Sequence, residues 1–456
     1  MGINLAGLGS VPLVIAAALA LAGLSPRLRA RGGDAARLVA LSLVLCGLVL
    51  GTGVSALAST GGVGFDQEIY TFFRRPPDLV IGVDLRLDPI AAIVAAVVLI
   101  AALCDALAQI VRGGAWAGAL RLSIAVSGAL AVSLGRSLLV IGVGWLAVAI
   151  ACRFGQARAR LASAGALLWF ALVGAFVAAA SLDVLAIERV GIAGRSGAFV
   201  RGALLGAPLA VTVGAALVGV AALVGRVGPE RDEGPLFSPV ELLLAIVALL
   251  RVNTIFALSP GLGAALVLGG LGVAIAAGLP DRNDARARLG SVHGGLAIAA
   301  AGLAAWDAAL LLALGSALAG VGLRLARSSE GPWTSRISRA LASGAAPGGV
   351  AIGIAGLVVA GCTHHSALGS LAAWIVPAGA LAASLVAGYV ASGASPGRDC
   401  SDPAVARGLA WALWLPSFGV VALALPLAAG APIARFLGPI IAMSRSLEGL
   451  PTGPRV

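Results

Sequence analysis

Residues 89–111 read PIAAIVAAVVLIAALCDALAQIV, and Asp105 is the single charged side chain among these 23 residues. A helix of that length rises about 35 Å at 1.5 Å per residue, which exceeds the roughly 30 Å hydrocarbon core of a bilayer. The stretch shows no polar face of the kind that a surface helix of a soluble protein needs. It therefore predicts a membrane-spanning helix.

Similar apolar runs recur along most of the chain. The whole sequence is 60% hydrophobic with a mean hydropathy of +1.03, more apolar than a soluble domain, which has to face water. We predict an all-α polytopic membrane protein of about 13–14 transmembrane helices, forming a single membrane domain over residues 1–456. The predicted spans are 3–24, 36–58, 89–111, 119–135, 137–153, 163–186, 202–224, 239–258, 261–279, 291–305, 307–325, 346–362, 369–391 and 408–430.

Some boundaries between these spans stay open. A Gly-Arg pair separates 119–135 from 137–153, and a Trp-Asp pair separates 291–305 from 307–325. Each pair of spans is either a short helical hairpin or one discontinuous helix. The longest early loop, 60–86, has mixed charges and room for a short hairpin.

The charges are distributed unevenly among the loops. The net charge is +11, and all 31 basic residues are arginine. By the positive-inside rule, the loops rich in arginine are cytoplasmic, which puts the N-terminus and loop 60–86 outside a cell (inner) membrane. Since no basic run is interleaved with aromatics, nucleic acid is not an expected partner. The arginines in question are Arg27, Arg29, Arg31, Arg153, Arg158, Arg160, Arg282, Arg286, Arg288, Arg327, Arg336 and Arg339.

The sequence carries no sign of a catalytic, metal or cofactor site. It has five cysteines but no CxxC motif, and it lacks a Walker loop, a GxSxG, an HExxH and a dinucleotide fingerprint. Cys362, His364 and His365 lie together, but adjacent histidines on a short loop rarely converge on one metal without a further ligand. We expect no catalytic centre, no metal and no cofactor in this chain.

Four motifs occur in order between residues 80 and 325. VDLRLDP occupies 83–89, SLLV at 137–140 runs into VGW at 143–145, PERDEGP at 229–235 precedes ALSP at 257–260, and NDARARL occupies 283–289. Together they resemble the antiporter-like, proton-conducting membrane subunits of respiratory complex I, particularly subunit 5, called subunit L in bacteria. The resemblance implies an inverted-repeat bundle within an NADH-quinone oxidoreductase. The signature positions are Asp88, Trp145, Pro235, Pro260, Asp284 and Arg286.

The proton path that the resemblance implies is missing at the matching positions. The family's intramembrane glutamate corresponds to Leu146, its lysine to the apolar stretch around Val218, and its first histidine to Leu243. Its later histidine and lysine fall between Gly315 and Gly320, where neither residue occurs. We expect residues 1–111 to form N-terminal helices with an outer loop, 112–430 an antiporter-like core, and 431–456 a short tail without the family's lateral helix.

Four polar residues remain as candidates for an intramembrane ion path: Asp105, Arg251, Asp307 and His293. A charge at bilayer depth costs at least about 2.5–3.5 kcal/mol, so each invites a functional interpretation. The structural alternative for Arg251 is a paired arginine that locks helices together, with Asp105 or Asp307 as its neutralising partner. For His293 the alternative is a hydrogen-bonded surface group at a helix start.

Three functional hypotheses follow. The leading one is a subunit L-like member of a respiratory or related complex that has lost its proton path, acts structurally or as a regulator, and packs against other membrane subunits. The second is a transporter whose four candidate residues converge on a new ion path. The third is the membrane partner in an inorganic-carbon uptake system, which predicts a docking surface on loops 153–161 and 326–344.

Overall fold

The computed structural model describes residues 5–60, 64–75, 79–153, 239–253, 260–278, 285–326, 349–363 and 368–392, together with positions 165, 169, 182–184, 187, 336 and 339–341. The predicted spans 202–224 and 408–430 lie outside the described residues, and 163–186 lies outside them except at positions 165, 169 and 182–184. Pro235, Asp284 and the His364-His365 pair also lie outside the described residues.

The described elements are almost all helical. The helices are α1 (Leu5–Ala22), α2 (Pro26–Arg29), α3 (Gly32–Ser59), α4 (Pro89–Val111), α5 (Trp116–Leu134), α6 (Leu138–Arg153), α7 (Val240–Arg251), α8 (Pro260–Ala276), α9 (Ala285–Gly302), α10 (Trp306–Ala326), α11 (Gly349–Thr363) and α12 (Ala372–Ser392), with a 3₁₀ turn at Gly369–Leu371. Two strands, β1 (Phe65–Arg75) and β2 (Leu79–Leu87), lie between α3 and α4.

The helices confirm the predicted fold class. Each of the eleven predicted spans that falls on described residues corresponds to one of these helices, and α4 has the same bounds as its prediction, 89–111. Six helices of the described part are long and apolar enough to cross a membrane. The chain is an all-α, multi-pass membrane protein.

The two ambiguous pairs of spans are helical hairpins. Helices α5 and α6 lie against each other, and a Cβ added at Gly144 would lie 2.6 Å from the carbonyl oxygen of Gly128. Only glycine allows the two backbones to approach this closely. The turn between α9 and α10 contains Ala304 at φ 59°, a left-handed conformation that ends α9 and reverses the chain.

The helices form two groups joined by α7. Helices α1, α3, α4, α5 and α6 pack together, and α8 to α12 form the second group. Helix α7 contacts both, and every residue from Val240 to Leu250 is buried. Because every residue from Leu242 to Leu250 is apolar, this stretch of α7 has apolar side chains on all faces, and burial on all sides is its favourable environment.

The loop before α4 contains a β-hairpin, as its length and charges suggested. Strands β1 and β2 pair antiparallel, with Asp66 opposite Arg86 and Glu68 opposite Asp84. Opposite residues of an antiparallel pair share a face, so these four side chains lie on one side of the hairpin. That side faces the first residues of α4 and the turn between α5 and α6.

Candidate functional site

Arg251, the last residue of α7, is largely buried and is paired. Its guanidinium donates to both carboxylate oxygens of Asp88 and, at 3.0 Å, to the backbone carbonyl of Ser133 near the end of α5. The side chains of Arg251 and Asp88 are 9% and 13% exposed. Arg251 therefore takes its acidic partner from the start of α4, and not from Asp105 or Asp307 as the sequence suggested.

Asp88 is the N-cap of α4. Its Oδ1 accepts the backbone N–H of Ala91 at 2.8 Å, and Pro89 occupies the first helical position, where proline is favoured. Burial by itself raises the pKa of Asp88, but the charge and hydrogen bonds of Arg251 and the Ala91 amide outweigh it. The pKa of Asp88, which precedes the membrane-spanning part of α4, is lowered, so the carboxylate is ionised.

The Arg251–Asp88 pair is part of a series of alternating cationic and anionic side chains. The Nε of Arg86 lies 3.5 Å from Asp88 and 3.9 Å from Asp66. Arg136, in the turn between α5 and α6, lies 3.5 Å from Asp66 and makes a two-point contact with Asp183 at 3.0 and 3.2 Å. We call the six residues the polar network: Arg251, Asp88, Arg86, Asp66, Arg136 and Asp183.

Backbone hydrogen bonds hold the arginine at the centre of the polar network in place. The N–H of Arg136 donates to the carbonyl of Asp84 at 2.9 Å, and its carbonyl accepts from Val184 at 2.9 Å. The short α5–α6 turn thus forms one antiparallel bridge with β2 and another with residues 182–184, so it joins these two segments. The network consequently ties together the hairpin, the start of α4, the end of α5 and the end of α7.

The chemistry of the polar network favours fixed charges over proton transfer. Its three cations are arginines, which stay protonated at any physiological pH. Beside it, burial raises the pKa of Asp84, as do Glu68, Asp183 and Asp66, while Arg136 opposes the shift. Among the described residues, Oδ1 of Asp84 is buried without a hydrogen-bond partner, and no cluster of three or more His, Cys, Asp or Glu side chains is suited to a metal ion.

The other candidate residues lie in separate contacts. His293 is 3% exposed, and its Nδ1 is 2.9 Å from the hydroxyl of Ser316 on α10, so its interpretation as a surface group is wrong. Asp105, also buried, accepts a 3.1 Å hydrogen bond from Gln109 one turn later. Asp307 is exposed and accepts from the backbone of Ala308 at 2.8 Å. These three contacts and the Arg251–Asp88 pair share no residue.

Several positions that the resemblance singled out lie in apolar, closely packed surroundings. Leu243 is fully buried and Leu146 packs on the core. A Cβ at Gly315 would lie 2.5 Å from the backbone nitrogen of Val350, and one at Gly320 would lie 2.7 Å from the ring of Pro239. These glycines leave no space for a histidine or lysine side chain.

The remaining signature positions serve as parts of helices. Trp145 is 5% exposed within α6, Pro260 is the first residue of α8, and Arg286 lies in the first turn of α9. Nearby, Arg288 donates to the carbonyls of Ala277 and Gly278 at 2.8 and 2.9 Å, beyond the last turn of α8. A cation there interacts favourably with the helix C-terminus.

The sequence pointed to Arg251 and to Asp88 separately but not to their pairing, because 163 positions separate them. Asp66, Arg136 and Asp183 were missed altogether. One local signal was available: an aspartate directly before a proline and a long apolar run is typical of an N-cap.

Comparison with known proteins identifies the fold. No protein-family model matches the chain, and no curated protein matches it. Among solved structures, a chain of the Mrp complex from Dietzia sp. DQ12-45-1b matches with a TM-score of 0.65 at 17% identity, over 97% of this chain and 55% of that one. This chain thus spans about half the length of that subunit.

A second solved structure matches this chain over nearly the whole length of both chains. It is a chain of the membrane-bound sulfane sulfur reductase, an archaeal respiratory membrane complex, with a TM-score of 0.62 at 15% identity, over 98% of this chain and 99% of that one. At these identities the similarity establishes the fold alone. The chain thus has the fold of a membrane subunit found in multi-subunit complexes.

Proposed function

We propose that this chain, with the fold of a membrane subunit from multi-subunit complexes, is an antiporter-like membrane-arm subunit with a structural or regulatory role. It resembles subunit L of NADH-quinone oxidoreductase but conducts no protons of its own. Its partners are other membrane subunits of a respiratory or related complex. The observation that carries the proposal is the close packing at Gly315 and Gly320, the two ends of the segment in which the family resemblance implies a histidine and a lysine.

The polar network supports the same proposal. A proton path needs groups that titrate, whereas Arg251, Arg86 and Arg136 do not. Removing one partner of a buried arginine–carboxylate pair is strongly destabilising, so such a pair favours the arrangement in which its two elements meet. Arg251 contacts both α4 and α5, so it holds the junction between the two helix groups in one arrangement.

The transporter hypothesis gains no support from the contacts of its four residues. It predicts convergence of Asp105, Arg251, Asp307 and His293, whereas Arg251 pairs with Asp88 and His293 with Ser316. The inorganic-carbon hypothesis rests on loops that lie largely outside the described residues, and it stays an alternative.

Two measurements test the proposal. Affinity purification from the native membrane in mild detergent is expected to recover other membrane subunits with the chain. The purified chain in proteoliposomes is expected to pass no more protons under an imposed membrane potential than empty vesicles do. Proton flux that disappears in Asp105→Asn or His293→Gln, but persists in the exposed-site control Arg37→Gln, would overturn the proposal in favour of a transporter.

A further inference from the structure

A groove opens between the last turns of α1 and the first turns of α5, away from the polar network. Its volume is about 370 Å³, and it is lined mainly by apolar groups, including Leu19, Leu24 and Leu120, with Trp116 and Arg29 also on its walls. This is at the small end of the range for ligand-binding cavities, about 300–1,000 Å³. The shape and chemistry suit part of one hydrocarbon chain.

The indole of Trp116 is fixed in the groove wall. Its Nε1 donates to the carbonyl of Leu19 at 3.0 Å, so its polar atom is satisfied by the protein. A Cβ at Gly23 would lie 3.0 Å from the same nitrogen, so the absence of a side chain at Gly23 leaves room for the indole ring. The ring therefore offers the groove an apolar surface, as tryptophans at membrane interfaces commonly do.

The mouth of the groove is positively charged. Nε of Arg29 donates to the carbonyl of Gly23, which holds the guanidinium against the groove. Within the described part of the chain, Arg27, Arg29 and Arg31 form no ion pair with a carboxylate, and the nearest acidic residue in sequence, Asp34, pairs instead with Arg37 at 3.2 Å. Three arginines thus lie on α2 and directly after it, and Arg29 among them lines the apolar groove.

An apolar surface leads along α1 to the groove. Leu13, Leu21 and Leu24 are 58%, 70% and 76% exposed. In a multi-pass membrane protein such a surface meets acyl chains, and the arginine-rich loop after α1 is the one that charge asymmetry places on the cytoplasmic side. The acyl-facing surface and the cationic loop meet at the groove.

We propose that this groove binds one anionic phospholipid. An acyl chain lies between α1 and α5 against Trp116, the phosphate is bound by Arg29 on the groove wall, and Arg27 and Arg31 add positive charge to the same segment. Arginine suits this role because its guanidinium forms paired, charge-assisted hydrogen bonds with phosphate oxygens. The charge at the mouth selects an anionic headgroup, and the apolar walls select a lipid over free phosphate.

Fluorescence quenching by brominated lipids tests the site directly. The purified chain is reconstituted in vesicles containing an equal fraction of brominated phosphatidylglycerol or brominated phosphatidylcholine. The sequence has eight tryptophans, so the signal of Trp116 is obtained by subtracting the spectrum of Trp116→Phe. We expect phosphatidylglycerol to quench Trp116 several-fold more effectively than phosphatidylcholine.

Charge-removal variants separate a built site from general surface attraction. Arg27→Gln combined with Arg29→Gln is expected to reduce the preference for the anionic lipid by roughly fivefold for each arginine removed. The matched control, Arg336→Gln with Arg339→Gln, removes the same charge from another loop and should leave the preference unchanged. Mass spectrometry of lipid retained in mild detergent gives a second readout, with phosphatidylglycerol retained by the wild type and the control only.

Two outcomes would overturn the proposal. Equal quenching by both lipids would mean that Trp116 meets only bulk bilayer. Protection of Trp116 from both lipids, in the complex purified with its partners, would mean that a protein segment fills the groove. Neither outcome bears on proton conduction, so this site and the proposed function can fail independently.

Discussion

The hairpin end of the bundle, where α4 begins and α5 ends, is held together differently from the middle of the α5–α6 pair. At the hairpin end, the start of α4 and the end of α5 are joined by paired charges, with Arg251 contacting Asp88 and Ser133. Along their length, α5 and α6 are held by backbone proximity at Gly128 and Gly144. Lipid offers no hydrophobic driving force between helices, so close packing is the available source of attraction at mid-span. A charged side chain in the bilayer is costly unless it lies near water or is fully paired, so ion pairs are favoured at the helix ends.

The largest effect is expected where a buried charge loses its partner. In Arg251→Gln, only Arg86 and the Ala91 amide remain as partners of Asp88 among the contacts described above. The substitution should lower the free energy of unfolding by about 3–5 kcal/mol. Thermal unfolding of the purified protein in detergent measures the loss. Arg37→Gln, in an exposed pair whose side chains are 71% and 63% accessible, should change stability by only about 0–1 kcal/mol.

A double-mutant cycle isolates the pair itself. If Asp88 and Arg251 stabilise the structure through each other, Asp88→Asn combined with Arg251→Gln costs clearly less than the sum of the two single variants. Strict additivity would show that the two residues act separately, and the contrast between the hairpin end and the middle of α5 and α6 would lose its basis.

The next largest effect is expected at the glycine contacts. Gly144→Ala places a Cβ 2.6 Å from the carbonyl oxygen of Gly128, and such overpacking costs about 1–3 kcal/mol. Gly51→Ala on α3 is the matched control, because nothing lies within 4 Å of its added Cβ. Alanine there should be neutral or stabilising by about 0.5–1 kcal/mol. Equal effects at both sites would argue against backbone proximity as the force that joins α5 to α6.

A smaller effect is expected at the accessible end of the polar network. Arg136 and Asp183 are 26% and 21% exposed, and Asp66 is 39% exposed. Arg136→Gln should lower the free energy of unfolding by about 1 kcal/mol, within the range for partly solvated pairs. The loss should shrink as salt is raised from about 0.1 M to 1 M, where the Debye length falls from about 10 Å to 3 Å. An unchanged loss would mean that the pair is shielded from solvent.

The smallest effect concerns pH. The lowered pKa of Asp88 contributes stability that is present above the ordinary carboxyl pKa and is lost as pH falls through the lowered value. The raised pKa of Asp84 works in the opposite sense, since stability is lost as pH rises through its raised value. Asp84→Asn should therefore stabilise the protein at neutral pH and not at acidic pH. A gain that is independent of pH, measured by unfolding across the carboxyl range, would contradict this assignment.

The fold was predictable because its signals are local. The bounds of α4 follow from one uninterrupted apolar run and the Asp-Pro at its start, and the hairpin in loop 60–86 follows from loop length and mixed charge. The choice between hairpins and discontinuous helices was not predictable, because it depends on close backbone contacts such as that between Gly128 and Gly144.

The sequence by itself determined a multi-pass helical protein in a bilayer, and it predicted that the proton path implied by the family resemblance is missing. Only the tertiary structure decided that Arg251 is neutralised by Asp88, that His293 is buried against Ser316, and that Arg136 joins Asp66 to Asp183. Hydropathy is a property of each short window of sequence. The partner of a buried charge is set by which helix ends meet in space, and that depends on packing across the whole bundle.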